Sequence, residues 1–174
     1  LYHIDSYPDK QYYAIGFKNN DGGYVLRSSL TKKCTSSAMT TLSPEGVITD
    51  QVSGSKVIVF EGFMDFLSWL SNVQQDTPEY DCCILNSVSN IDKALPWITA
   101  HNNIAAFMDN DEAGRNTLQK IIENVPDDAG KVCVYDMAKL YEDYNDLNEK
   151  LSDELSSKDE HSSINTHNHG DNTI

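Results

Sequence analysis

Two apolar segments of this chain each end in a carboxylate. Residues 57–60 are followed by Glu61, and residues 105–108 are followed by Asp109 and, two positions later, by Asp111. A short apolar run closed by a turn predicts a buried parallel strand. Because open sheets of such strands place ligands at the carboxyl ends, the three carboxylates are expected to converge on one crevice.

A crevice that holds three carboxylates predicts a bound cation. Like charges at close range repel each other unless something positive lies between them. Glu61, Asp109 and Asp111 offer hard oxygen ligands with no His or Cys nearby in the sequence, and such a set favours Mg²⁺ or Mn²⁺ over zinc. Asp109 and Asp111 can both reach one ion because the backbone bends where a strand ends.

From residue 56 onward the pattern indicates strands that alternate with helices. Such alternation is typical of an α/β fold, here with a mainly parallel four-stranded sheet flanked by helices. The predicted strands are 57–60, 81–85, 104–108 and 131–135, and the predicted helices are 63–73, 91–101, 115–125 and a last one through Leu147, Leu151 and Leu155.

The residues on either side of this region differ in character. Alternating aromatic and polar residues around the turn 19–23 predict a hairpin, so residues 1–55 are expected to form a small strand-rich subdomain ahead of a main domain over 56–155. Residues 156–174 have almost no apolar content, which predicts a disordered polar tail. Since the chain opens on Leu1 rather than Met, we expect a fragment of a longer protein.

Composition restricts the function. The net charge of −14 argues against a general nucleic-acid binder, but the acids are concentrated after residue 56. The four cysteines show no C-x-x-C spacing, so no zinc is expected in this chain. With no leader and no apolar run near the roughly 20 residues of a membrane span, a cytoplasmic protein without a membrane partner is expected.

The two acidic segments resemble the Toprim domain of bacterial primases, topoisomerases and some nucleases. That domain carries Glu-Gly-x-x-Asp after one strand, as at residues 61–65, and Asp-x-Asp-x-Ala-Gly after a later strand, as at 109–114. Both segments are most similar to the primase branch, and residues 14–24 are similar to primase-like Toprim proteins of mobile elements in Bacteroides-like bacteria. The resemblance covers about residues 56–155 and implies a Rossmann-like sheet.

The resemblance implies catalytic roles for three of the carboxylates. The family assigns general acid/base catalysis toward a 3′-hydroxyl to the glutamate that corresponds to Glu61. Asp109 and Asp111 correspond to the aspartates that hold Mg²⁺ or Mn²⁺, and Glu61 can also complete the metal shell. These three are therefore the candidate catalytic and metal-binding residues.

Three further residues of the same motifs are expected to support the site. Gly62 permits a tight turn into the following helix, and Gly114 closes the second motif. Asp65 falls in the first turn of the helix, where its carboxylate either orients the site or only complements the helix dipole.

A third acidic patch resembles the primase Asp-x-Asp that helps to hold further metal after the fourth strand. Asp143 aligns with the first aspartate, whereas Asn145 occupies the second position and Asp146 lies one residue late. Asp143 is the first candidate and Asp146 the second for holding a second ion. The structural alternative is a solvated loop that caps the last helix.

The resemblance also implies partners. In primases a basic, strand-rich subdomain ahead of Toprim guides the single-stranded DNA template and the NTPs, and Arg27, Lys32 and Lys33 are the candidates for that role here. Arg115, which opens the helix after Asp111, is a further candidate for a phosphate contact. A replicative helicase is an expected partner through domains outside this chain.

The leading prediction is therefore a DNA primase-type nucleotidyltransferase that makes RNA primers on a DNA template with two divalent ions. A Toprim nuclease or topoisomerase is one alternative. A haloacid-dehalogenase-like phosphatase also carries Asp-x-Asp after a strand, but small hydroxyl residues usually follow it, and Glu112-Ala113-Gly114 follow here. A non-catalytic Toprim-like module of a mobile-element replication or mobilisation protein is the last alternative, which Asn145 keeps open.

Overall fold

A computed structural model describes residues 2–4, 12–126 and 132–167, and the side-chain surroundings of 13–126 and 132–158. The first four strands form an antiparallel sheet in chain order. They are β1 (Tyr2–Ile4), β2 (Tyr12–Lys18), β3 (Tyr24–Arg27) and β4 (Lys32–Cys34). The hairpin predicted around residues 19–23 is the β2–β3 connection.

The second sheet has five strands in the order β5-β7-β6-β8-β9, and its last four are parallel. These strands are β5 (Thr40–Leu42), β6 (Lys56–Phe60), β7 (Asp81–Ile84), β8 (Asn103–Phe107) and β9 (Cys133–Asp136). The helices are α1 (Phe63–Asn72), α2 (Ile91–Ile98), α3 (Glu112–Glu123) and α4 (Leu147–His167).

Both faces of the second sheet are covered because its strands are apolar on both faces. In β6, Val57 and Val59 pack with α2 and α3, while Ile58 and Phe60 pack with α1 and α4. Side chains alternate between the two faces of a strand, so a continuous apolar run supplies both cores. The predicted α/β fold with a mainly parallel sheet is thus confirmed.

The N-terminal sheet docks on the face covered by α1. The ring of Phe17 in β2 stacks on that of Phe63 at the start of α1, with 5.2 Å between centroids. Val25 of β3 belongs to the same buried cluster. These contacts place β3 and β4 beside the carboxyl end of β6.

The structure bears on two expected boundaries. The expected N-terminal subdomain included residues 40–42, but β5 pairs antiparallel with β7 in the second sheet; the boundary at residue 55 stays a prediction. The disordered tail expected from residue 156 stays a prediction, although α4 continues to His167. A segment with few apolar residues can still form a helix, because pairs of polar side chains four residues apart stabilise it. In α4, Lys150 and Glu154 form such a pair.

The remaining expectations concern ends of elements and the membrane. Strand β9 begins at Cys133, and residue 131, where we expected it to start, lies outside the described residues, as does the tail from 168 to 174. Helix α3 begins at Glu112 rather than at 115. In the described ranges, each helix is too short or too polar to cross a membrane.

Candidate functional site

The carboxyl ends of β6 and β8 bring Glu61 and Asp109 together. Phe60 and Phe107 are paired neighbours in the two strands, so the residues that follow them leave the same edge of the sheet. The backbone N–H of Asp109 donates a hydrogen bond of 3.2 Å to Oε2 of Glu61. The two strand-end carboxylates therefore lie side by side, as their positions in the sequence predict.

A cleft at this edge is lined by side chains of both charges. Its acidic lining consists of Glu61, Asp65, Asp109 and Asp146, and its basic lining of Arg27 and Lys32. Asp143, the first candidate from the third acidic patch, is exposed on the preceding loop and does not line the cleft. The second candidate, Asp146, does line the cleft.

Asp111 has a different environment from Asp109. It is exposed and does not line the cleft, because it is the N-cap of α3 and its Oδ1 accepts a 2.8 Å hydrogen bond from the Gly114 N–H. Its charge nevertheless acts on the cleft by raising the pKa of Glu61 and of Asp109. Asp111 therefore lies outside the cleft that Glu61 and Asp109 line, although we expected the three carboxylates to converge there.

The two glycines of the motifs allow close approaches. Any side chain at Gly114 would collide with the backbone of Asp109, so glycine lets α3 begin directly against the strand end. Gly62 has an extended backbone (φ −122°) that other residues also adopt, and a Cβ there would lie 3.1 Å from Oδ2 of Asp65. The reason for Gly62 is therefore proximity to Asp65 rather than an unusual turn.

Asp65 links the two helices on one side of the sheet. It is only 7% exposed, and its Oδ1 accepts a 3.1 Å hydrogen bond from the backbone N–H of Asn148 in the first turn of α4. Its carboxylate lines the cleft, although we expected as an alternative that it would serve only the helix dipole.

The acidic lining carries negative charge that the protein compensates only in part. Burial, and then repulsion by Asp109, raises the pKa of Glu61 to about 7. Burial, and then Asp146, raises the pKa of Asp65 to about 7 and that of Asp109 to about 6, while Lys32 acts in the opposite direction on Asp109. Raised values mean that the ionised cluster favours a cation from outside the chain.

The predicted cations divide into two groups. Arg27 and Lys32 are directly opposite each other in β3 and β4, and both line the cleft. Lys33 lines an adjoining cleft instead. Arg115 is exposed, and its Nη1 donates a 2.9 Å hydrogen bond to the carbonyl of Asn110, so it braces the loop between Asp109 and Asp111.

Two amide side chains of the cleft were missed. Asn86, which follows β7 with φ of 61°, is buried and lines the cleft, and its Nδ2 donates to Ala38 O and Thr40 Oγ1. Asn148 also lines the cleft. For Asn86 the available signal was position, because a polar residue that follows a buried strand of a parallel sheet lies at its carboxyl edge.

The cleft fits Mg²⁺ or Mn²⁺ in part. Across the described ranges, no three His, Cys, Asp or Glu side chains are gathered closely enough to hold a metal ion by themselves. Mg²⁺ is usually held by one or two carboxylates, with waters and substrate phosphates completing its shell. Glu61 and Asp109 supply such a pair, both half-buried and with oxygen as the donor atom.

Fold and cleft together define an α/β domain whose parallel sheet carries an acidic pair at its carboxyl edge. The chain belongs to the Toprim-like family, whose model matches residues 58–151, more than half of the 174 residues. A second model, described only as a domain of unknown function, matches residues 2–36.

Two solved structures of bacteriophage T7 proteins match this chain. One is the crystal structure of the primase fragment of the bacteriophage T7 primase-helicase protein, with 20% identity and a TM-score of 0.51. That match covers 78% of this chain and 56% of the phage chain, so this chain spans little more than half of it.

The other solved structure is that of the bacteriophage T7 lagging-strand DNA polymerase interacting with primase domains bound to an RNA/DNA hybrid and dTTP. The identity is 21%, the TM-score is 0.48, and the match covers 86% of this chain and 72% of that chain. No curated protein matches this chain significantly.

Proposed function

We propose that the chain is the catalytic core of a cytoplasmic DNA primase that joins ribonucleotides on a single-stranded DNA template. The observation that carries this proposal is the cleft in which Glu61 and Asp109 face the same space as Arg27 and Lys32. Phosphoryl chemistry needs both signs of charge there, acids to hold a metal and cations to hold phosphate. The primase-like motifs add the substrate class, and an origin on a mobile element is part of the proposal.

Each lining residue has a proposed role. Glu61 and Asp109 are the ligands of the first Mg²⁺ or Mn²⁺, and Asp146 with Asp109 is the candidate pair for a second. Such ions would supply charge stabilisation at the phosphate and lower the pKa of the attacking hydroxyl. Glu61 is alternatively the proposed proton acceptor at the 3′-hydroxyl.

The cations and Asp111 complete the proposal. Arg27 and Lys32 would hold phosphates of the template or of the NTP at the basic side of the cleft. Asp111 would act from its capping position through its charge. Further domains outside this chain would provide contact with a replicative helicase.

A non-catalytic Toprim-like module is the second candidate. It is favoured by two observations, the engagement of Asp111 as a helix cap and the presence of Asn145 where the primase motif has aspartate. Such a module would bind nucleic acid beside Arg27 and Lys32 without joining nucleotides.

A primer-synthesis assay separates the candidates. The protein is incubated with single-stranded DNA, NTPs and Mg²⁺ or Mn²⁺. We expect RNA primers from the wild type, a loss of at least about 100-fold in Glu61→Gln and Asp109→Asn, and near wild-type synthesis in Asp143→Asn. Wild-type protein that binds DNA without making primers would favour the module, and nicking of DNA without NTPs would favour a nuclease.

A further inference from the structure

Asn110, the middle residue of Asp109-Asn110-Asp111, makes three hydrogen bonds to residues 141–146. Its backbone N–H donates to the carbonyl of Asn145 at 2.7 Å. Its side-chain Nδ2 donates to the carbonyls of Tyr141 at 2.9 Å and of Tyr144 at 2.8 Å. The residue therefore fastens the segment 141–146 to the end of β8.

The chemistry of these contacts requires an amide at position 110. A carbonyl oxygen only accepts hydrogen bonds, so the atom that faces Tyr141 and Tyr144 has to be the NH₂ group with its two protons. An aspartate would turn a carboxylate toward two carbonyls, and alanine would remove both donors. Arg115 holds the residue from the other side through the Asn110 carbonyl at 2.9 Å.

The segment held by Asn110 carries Asp146, the second candidate from the third acidic patch. Asp146 lines the cleft with Glu61 and Asp109, and its Oδ1 caps α4 through the N–H of Glu149 at 2.7 Å. One oxygen of Asp146 is thus committed to the helix, and where the other lies depends on the path of residues 141–146. The OH of Tyr141 adds a bond of 2.9 Å to the Met108 carbonyl at the same strand end.

We infer that Asn110 is a positioning residue that holds the carboxylate of Asp146 on the lining of the cleft with Asp109, where these two carboxylates would hold an ion as a pair. This inference rests on the proposed metal-binding function of the cleft. Asn110 contacts no ligand itself and acts through the segment 141–146. The middle of the Asp-x-Asp motif is then a clamp between two motifs that lie far apart in the chain.

A terbium experiment tests the clamp directly. Tb³⁺ binds oxygen ligands, and its luminescence lifetime in H₂O and in D₂O gives the number of waters that it retains. We expect Asn110→Ala to add a water to the bound ion and to weaken Mn²⁺ binding about 10- to 100-fold, as loss of a supporting contact does. Asp146→Asn, which retains a good cap, should add the same water, and the double variant should add no more than either single variant.

Two further variants control for folding. Asn116→Ala makes the same chemical change on the exposed side of α3 and should leave both readouts at their wild-type values. Asn110→Ser keeps one donor and should fall between the wild type and Asn110→Ala, which keeps the test open if Asn110→Ala does not fold. Amide hydrogen exchange in 141–146 should rise in Asn110→Ala and stay unchanged in Asn116→Ala.

The outcomes distinguish this inference from the proposed function. An unchanged water count in Asn110→Ala, or additive effects of Asn110→Ala and Asp146→Asn, overturns the clamp while wild-type metal binding stands. A wild type that binds neither Tb³⁺ nor Mn²⁺ overturns both proposals. Weaker binding in Asn110→Ala without faster exchange in 141–146 means that Asn110 acts on the ion itself, which also contradicts the clamp.

Discussion

The two edges of the parallel sheet treat their carboxylates in opposite ways. At the amino edge, Asp81 and His101 are buried, and His101 Nε2 lies 2.9 Å from Asp81 Oδ2. Asp81 also accepts the N–H groups of Ser53 at 2.8 Å and Gly54 at 3.2 Å, and the hydroxyl of Ser53. Burial acts to raise the pKa of Asp81, but these hydrogen bonds outweigh it and lower the pKa below its ordinary value.

At the carboxyl edge, Glu61 accepts fewer hydrogen bonds than Asp81 does at the amino edge. Glu61 accepts one backbone N–H, and its pKa is raised to about 7 rather than lowered. The contrast shows that the fold can satisfy a buried carboxylate when stability is all that is required. The unmet charge at the other edge supports the proposed binding of an external cation.

Breaking the amino-edge pair should have the largest effect on stability. In His101→Ala, the buried carboxylate of Asp81 loses its partner, which lowers the free energy of unfolding by about 3 kcal/mol or more. Urea denaturation measures the loss, and Mn²⁺ titration should show the carboxyl edge unchanged. Asp81→Asn, which keeps the shape of the side chain, should lose less. A His101→Ala protein as stable as the wild type would contradict the importance of the pair.

The pH dependence should differ in sign between the two edges. Glu61 and Asp65 have pKa values near 7 and Asp109 near 6 in the folded chain, against ordinary values of 4.5, 3.8 and 3.8. The folded state therefore binds more protons than the unfolded state above about pH 4, and stability falls as pH rises through 7. The contribution of Asp81 is present above its ordinary pKa and is lost as pH falls through the lowered value.

Thermal unfolding in EDTA from pH 4 to pH 8 measures this behaviour. The three pKa shifts, discounted because Glu61 and Asp109 are partly exposed to solvent, predict that stability falls by at least about 2 kcal/mol between pH 5 and pH 8. We expect Mg²⁺ to restore most of it because the ion offsets the repulsion. Mg²⁺ affinity should rise over the same range, since protons compete for the same oxygens. Stability that rises from pH 5 to pH 8 without metal would contradict the raised pKa values.

Removing one charge from the carboxyl edge should stabilise the metal-free protein. Glu61→Gln keeps an oxygen that accepts the Asp109 N–H and ends the repulsion, so unfolding should require about 1–2 kcal/mol more at pH 8 in EDTA. Primer synthesis and Mn²⁺ binding should fall in the same variant. Glu142→Gln, on the exposed loop, is the matched control and should change neither. A destabilised Glu61→Gln would instead make Glu61 a structural residue.

The sequence predicts the carboxyl edge better than the amino edge for a physical reason. Glu61 and Asp109 directly follow apolar strands, so local pattern alone places them together. Asp81 and His101 belong to no motif and are 20 positions apart, and their pairing depends on how two strands and a helix pack. Only the tertiary structure reveals such a pair.

The third acidic patch, residues 143–146, is another case in which sequence pattern alone does not predict which residue lines the cleft. Matching the Asp-x-Asp pattern favoured Asp143, but residues 138–141 form a turn of 3₁₀ helix, which sets the rotation of the segment that follows. Asp146 then becomes the residue before α4, with its carboxylate both capping the helix and lining the cleft. A pattern of spacings cannot anticipate this, because the direction of an irregular loop depends on contacts such as those of Asn110.

The smallest expected effect concerns the cations that balance the acidic edge. Lys32 lines the cleft opposite Arg27 and acts electrostatically on Asp109, and it also borders the adjoining cleft. Its neighbour Lys33 lines the adjoining cleft but not the acidic one. Lys32→Ala should weaken binding of single-stranded DNA uniformly across sequences and reduce the slope of log affinity against log salt by about 1. Fluorescence anisotropy at several salt concentrations measures this slope, and Lys33→Ala is the matched control, with a smaller change. Equal changes in the two variants would mean that DNA contacts both clefts. The basic side of the site would then include Lys33 as well as Lys32.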